Sequence, residues 1–201
     1  MQLRSRFGVG CDWPITYADL ESYYGLCEQL IGVAGPAEQG ARWRSTPFPL
    51  PPHPLSPAAK RLQAAGARLG MDWQANSRAA LSMPYDGRPA CNYCGNCSRG
   101  CPVGDKGSAD VTFIRKAEQT GRLALRSDSR LLRLHPAAGG RIASIEYVKG
   151  KTTYRVETPV LVLAAGAIQT PRLLLANRSR QHPHGLANSS RQVGRNFMES
   201  V

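Results

Sequence analysis

Four of the chain's six cysteines fall within eleven residues, Cys91-Asn92-Tyr93-Cys94-Gly95-Asn96-Cys97-Ser98-Arg99-Gly100-Cys101, and Pro102 follows them. The spacing, C-x2-C-x2-C-x3-C-P, is one that bacterial proteins use to hold iron–sulfur clusters. Thiols this close cannot all pair as disulfides without strain. A metal or cluster held by Cys91, Cys94, Cys97 and Cys101 is therefore the leading expectation. Zinc stays open, because four thiolates satisfy it too, although such zinc sites usually split their ligands into two distant pairs. Disulfides and idle thiols are the plain alternatives. Cys11 and Cys27 stand apart and are expected to be lone buried thiols.

The 201 residues suffice for one large or two small domains with a buried core. The longest apolar run, Val160-Leu161-Val162-Leu163-Ala164-Ala165, has the length of a buried strand. A membrane span needs about 20 apolar residues, so no transmembrane segment is expected. Residues 1–30 lack the apolar core of a signal peptide. The net charge of +12 raises the question of nucleic acid. The basic residues are scattered from Arg4 to Arg195, without a run of four and without interleaved aromatics. A stacking platform for single strands is thus lacking, and a solvated arginine-rich surface with no nucleic-acid partner is expected.

Local signals divide the chain into elements. Thr16, with Asp19 three residues on, opens a helix that Gly32 ends. Tyr17, Leu20, Tyr24, Cys27 and Ile31 form its apolar stripe, expected to face the core. A proline-rich connector from Pro47 to Pro57 follows, and Ser56-Pro57 starts a second helix reaching about Gly70. Ser108 caps a third, ending near Gly121. From Leu123 the period becomes that of strands: Leu123–Arg126, Leu131–Leu134, Arg141–Val148 and Thr152–Val156, with turns at Gly139-Gly140 and Lys149-Gly150-Lys151. Val160–Leu163 reads as a parallel strand covered on both faces. Ala164-Ala165-Gly166-Ala167 and a helix carrying Leu173-Leu174-Leu175 come next. Strand, small residues, helix is the geometry of a nucleotide-binding switch point, though many α/β proteins use such a turn for packing alone.

Four stretches in fixed order resemble the glucose–methanol–choline (GMC) family of flavin oxidoreductases. They are Asp12–Tyr24 with Leu30–Gly35; the cysteine segment with Gly104-Asp105-Lys106-Gly107-Ser108; Ala164–Leu175; and Gly185–Ser190 with Val193–Met198. The resemblance implies mixed α/β (α+β) architecture: a partial, Rossmann-like FAD-binding domain with an antiparallel meander, plus part of a substrate or cap domain. Residues 1–90 would be the partial cap region, and 91–201 the cysteine loop and the middle of the FAD domain.

The family's chemistry implies an FAD-dependent dehydrogenase or oxidase acting on the CH–OH group of an alcohol, sugar or polyol. Leu131 corresponds to a position whose backbone meets the adenine end, and Ala165, Gly166 and Ala167 would line the dinucleotide. Asn188 and Asn196 would border the flavin domain or serve as turn and cap residues. Some relatives carry a three-iron cluster, with a spacing that Cys91, Cys97, Cys101 and Pro102 match; Cys94 is then an extra thiol. The family's Gly-rich FAD fingerprint is expected before Met1 and its catalytic histidine beyond Val201. His53, His135, His182 and His184 match no part of that motif, so residues 1–201 alone are expected to be inactive. The electron acceptor implied is a cytochrome or small subunit. The compartment is open: cytoplasmic, periplasmic or membrane-associated through partners. A stand-alone iron–sulfur electron carrier without flavin and a zinc-bound nucleic-acid module are the alternatives.

Overall fold

In the computed structural model, which describes residues 1–37, 43–195 and 197–198, every long element begins or ends on a local signal. A short helix, α1 (Leu3–Phe7), stops at Gly8 in the left-handed region. For α2 (Tyr17–Ile31), Thr16 donates its N–H and its hydroxyl to Asp19 Oδ2, both at 2.7 Å. This places a carboxylate over the free N–H groups of the first turn. At the other end Gly32, with φ of 80°, returns its N–H to Glu28. Ser56 Oγ accepts from Ala59 N–H at 3.1 Å and opens α3 (Pro57–Arg68) with proline in its first turn.

The facing of α2 differs from the expected one. Tyr24 is 45% exposed and Cys27 is also open, whereas Glu21 and Gly25 are buried. The neighbouring segment decides this, because it offers hydrogen-bond donors where an apolar wall would have taken the stripe. Ser45 gives its N–H (2.7 Å) and hydroxyl to Glu21, Arg44 pairs with Glu28, and Thr46 lies where a Cβ on Gly25 would meet it at 2.8 Å. Cys11 is exposed too, so neither outlying cysteine is a buried thiol.

The chain forms two compact units, Met1–Ala124 and Leu125–Val201. The first has a small core of Ala34, Leu50 and Leu81 with Tyr85 against it. Ala34 bridges to both Leu50 and Arg78. Arg88, buried at 4% exposure, donates to the carbonyls of Ile31 and Asp105. The helix expected from Ser108 starts with a π-wound turn over Asp110–Ile114 and becomes α4 (Arg115–Gln119). Ser108 contributes its carbonyl, to the Thr112 hydroxyl at 2.8 Å, and Thr112 is fully buried.

The second unit is an antiparallel meander: β1 (Ser129–Pro136), β2 (Ile142–Lys149) and β3 (Thr152–Glu157), in spatial order β1-β2-β3. Leu131 pairs with Tyr147 and Leu134 with Ile145, with a register shift between Leu131 and Arg133. Gly139, Gly140 and Gly150 supply the positive φ of the two turns. α5 (Gly166–Ala176) is tied to β1 by Asn177, which accepts from Leu134 N–H at 2.8 Å and donates to Leu173 carbonyl at 2.6 Å.

Two expected strands are not formed. Neither Leu123–Arg126 nor Val160–Leu163 carries a ladder, and Val160 is 74% and Val162 80% exposed. A strand needs at least one hydrogen-bonded neighbour, and among the described residues no strand is paired with this segment. No described helix is long and apolar enough to cross a membrane.

Candidate functional site

β1, β2, β3 and the approach to α5 border an open concavity of about 950 Å³ in the second unit. Leu131, Ile145, Tyr147, Val156 and Leu163 give it an apolar floor, and Ala164 and Ala165 form part of its wall. Of the four residues expected to meet a dinucleotide, Leu131 and Ala165 thus line one space. Gly166 and Ala167, the next two residues, begin α5 and are exposed. Gly166 has φ of 85° and open space where a Cβ would stand. The Ala165 N–H is taken by Thr170 Oγ1 at 3.1 Å. The next N–H groups belong to the first turn of a helix and have no intrahelical acceptor. An apolar lining with small residues at its border, next to the start of a helix, fits the flat ring of a nucleotide.

The cysteine segment lies in the first unit and is held by its neighbours. Cys91 N–H donates to Leu81 carbonyl at 2.8 Å, and Lys106 Nζ donates to Cys97 carbonyl at 2.7 Å. Tyr93 takes a left-handed φ of 57° and is anchored by its hydroxyl, 3.0 Å from His53 Nδ1. His53 is buried, and its Nε2 lies 2.9 Å from the Ala80 carbonyl. A carbonyl only accepts, so Nε2 carries the proton and Nδ1 accepts from Tyr93.

The four thiols do not converge. The Cys101 thiol donates to Asp105 Oδ1 at 2.8 Å, Cys91 is half-buried, and Cys94 and Cys97 are exposed. Among the described residues no three Cys, His, Asp or Glu side chains are gathered to hold a metal. Burial pushes the Cys91 thiol up, and the Asp105 carboxylate adds to the shift. As placed here, with Cys101 engaged by Asp105, the thiols are not gathered as a ligand set.

Asp105 and Arg88 are the residues that reading the sequence missed. Asp105 is 3% exposed and Arg88 is buried beside its carbonyl. The clue available was a charged residue inside an otherwise small-residue stretch, Gly104-Asp105-Lys106-Gly107. Asn188 serves as a turn residue: it accepts from Val193 N–H at 3.0 Å and donates to His184 carbonyl at 2.8 Å. Asn196 lies outside the described residues.

Residues 50–200 match the GMC oxidoreductase family. The chain is 35% identical over 202 residues to the fructose dehydrogenase large subunit of Gluconobacter japonicus, covering 98% of this chain and 37% of that protein. It is 37% identical over 191 residues to 6'''-hydroxyparomomycin C oxidase of Streptomyces lividus, covering 94% and 35%. It is 30% identical over 194 residues to 2-methyl-1,2-propanediol dehydrogenase of Mycolicibacterium austroafricanum, covering 94% and 35%. The chain thus spans about a third of the length of the curated relatives it matches. With three quarters of its residues inside the family match and near-complete coverage by these relatives, the chain belongs to the GMC oxidoreductases.

Proposed function

We propose that the chain is an interior part of an FAD-dependent oxidoreductase that oxidises the CH–OH group of an alcohol, sugar or polyol. The observation that carries this is the concavity on which Leu131 and Ala165 meet, in a chain of the GMC family. Bound flavin supplies the acceptor for hydride leaving the substrate carbon. The chain's own residues bind and orient it. The Leu131 main chain would hold the adenine end, the small Ala165 side chain would let the dinucleotide approach closely, and the N–H groups of Gly166 and Ala167 would bind its phosphates. In this reading residues 91–201 belong to a Rossmann-like FAD domain with the cysteine loop, and residues 1–90 to the cap over the substrate.

The relatives, a fructose dehydrogenase large subunit, a 6'''-hydroxyparomomycin C oxidase and a 2-methyl-1,2-propanediol dehydrogenase, support a hydroxyl-bearing substrate. A cytochrome or small subunit is the proposed electron acceptor. An iron–sulfur relay rests on the cysteine spacing alone. It requires Cys101 to leave Asp105, so iron and acid-labile sulfide in the purified protein decide it.

The test is to express the protein together with its adjoining coding sequence and record its flavin absorption and turnover of sugars and alcohols. Stoichiometric flavin, lost when Ala165→Trp fills the wall, is the expected result. A cluster spectrum without flavin bands points instead to the stand-alone electron carrier. For residues 1–201 alone, little retained FAD and no turnover are expected.

A further inference from the structure

In the cysteine segment of the first unit, two thiols share one acceptor. The Cys101 thiol donates to Asp105 Oδ1 at 2.8 Å. The same carboxylate bears on the Cys91 thiol, by hydrogen bond and by charge. Asp105 is buried, at 3% exposure, and Arg88 donates to its carbonyl. One buried carboxylate thus brings both sulfurs to a single group. The two differ in access. Cys101 lines an open surface depression of about 420 Å³ together with Asn96, Arg99, Gly100 and Pro102, and Cys91 does not line it. Arg99 is exposed beside the reachable thiol, and a guanidinium offers paired donors that match a carboxylate. A reachable thiol, a second thiol behind it and a common proton acceptor are the parts that thiol–disulfide exchange needs.

We propose that Cys101, Cys91 and Asp105 form a redox-active dithiol site whose substrate is a small disulfide bearing carboxylates, with Arg99 as its specificity residue. The Cys101 sulfur attacks one sulfur of the small disulfide while its proton passes to Asp105. An S–S bond to Cys101 forms, the small S–S bond breaks, and the departing thiolate takes that proton. Cys91 then yields its proton to Asp105 and attacks the Cys101 sulfur. The second small thiolate leaves, takes the proton, and a Cys91–Cys101 disulfide remains. The two protein thiols are oxidised together by two electrons, and the small disulfide is reduced to two thiols. The inference stands apart from the flavin reading and competes with an iron–sulfur relay for the same thiols.

The test uses the protein expressed with its adjoining coding sequence and purified anaerobically. It is treated with oxidised glutathione, alkylated and read by peptide mass spectrometry. A linked Cys91–Cys101 peptide is expected, with Cys94 and Cys97 still alkylated. Cys91→Ser is expected to stop at a glutathione mixed disulfide on Cys101. Arg99→Glu is expected to slow the reaction with oxidised glutathione about threefold or more, and to leave cystamine, a disulfide without carboxylates, no slower. Asp105→Asn is expected to slow linkage at least about tenfold at neutral pH, the gap closing as pH rises through the ionisation of the thiols themselves. Stoichiometric iron and acid-labile sulfide in the purified protein would overturn the inference. So would glutathione settling on Cys94 and Cys97 without a linked peptide, which is the reactivity of exposed thiols alone. If Arg99→Glu slows both disulfides equally or neither, Arg99 is not the specificity residue. If Asp105→Asn links as fast as the parent at neutral pH, Asp105 is not the proton acceptor. None of these outcomes bears on flavin absorption, so the flavin reading stands or falls separately.

Discussion

The two units are held by different kinds of contact. In residues 1–124 the apolar core cluster consists of Ala34, Leu50 and Leu81, and much of the fixing is done by polar side chains reaching far along the chain. Glu21 holds Ser45, Glu28 holds Arg44, His53 holds Tyr93 and Ala80, and Arg88 donates to Ile31, 57 positions away. In residues 125–201 a backbone ladder of near neighbours does the work. It is backed by Leu134, Tyr147 and Leu173, and by Tyr147 stacked on Tyr154 at 5.2 Å. A ladder spreads its stability over many similar bonds. A set of long-range polar contacts concentrates it in a few residues, each leaving a buried group unsatisfied when lost.

Substitutions can break this contrast. Leu81→Ala, at a fully buried position, is expected to cost about 3 kcal/mol and to raise amide exchange through residues 33–35 and 78–81. If exchange there is unchanged, the small core is not what holds the first unit. In the second unit the sensitive point is off the ladder. Gly185 has φ of 97°, and a Cβ there would meet Leu174 carbonyl oxygen at 2.6 Å. Gly185→Ala is expected to cost about 2 kcal/mol, read by denaturant melting, with the β1–β2 amides still the best protected of that unit.

Ser56→Ala removes the cap of α3 and should cost about 1 kcal/mol, seen as fraying of residues 57–60 by exchange.

The mildest test is pH. The Ser45 N–H, then its hydroxyl, hold the Glu21 carboxyl below its ordinary value of 4.5. A depressed folded-state value means the contribution is complete above the unfolded value and fades as pH falls through the folded one. The first unit should therefore lose stability in acid below about pH 4.5, and Glu21→Gln should flatten that part of the curve. An unchanged acid profile would show that this contact matters little.

The site was legible to the extent that it is local. Leu131 and Ala165 were pointed to by the resemblance of their stretches to the GMC family, and both line one concavity. The meander was legible because Gly139, Gly140 and Gly150 fix its turns and the strands between them are sequence neighbours. The facing of α2 was not, because its stripe indicates which side could be buried, while the chain around Ser45 decided which side was. The Val160–Leu163 strand failed for a related reason: an apolar run describes a strand only where ladder partners exist beside it. For the cysteines, spacing gives the number and reach of the thiols but not the direction of each.

Composition, caps, turn glycines and cysteine spacing are properties of short stretches, and they determined where elements start and stop and which family the chain resembles. Tertiary structure alone decided that Asp105 takes the Cys101 thiol and that Arg88 joins Ile31 to Asp105. The reason is geometric. A cap or a two-residue turn closes its hydrogen bonds within a few positions, so its chemistry is written in adjacent letters. A buried side chain instead takes whichever donor or acceptor the folded chain brings to it.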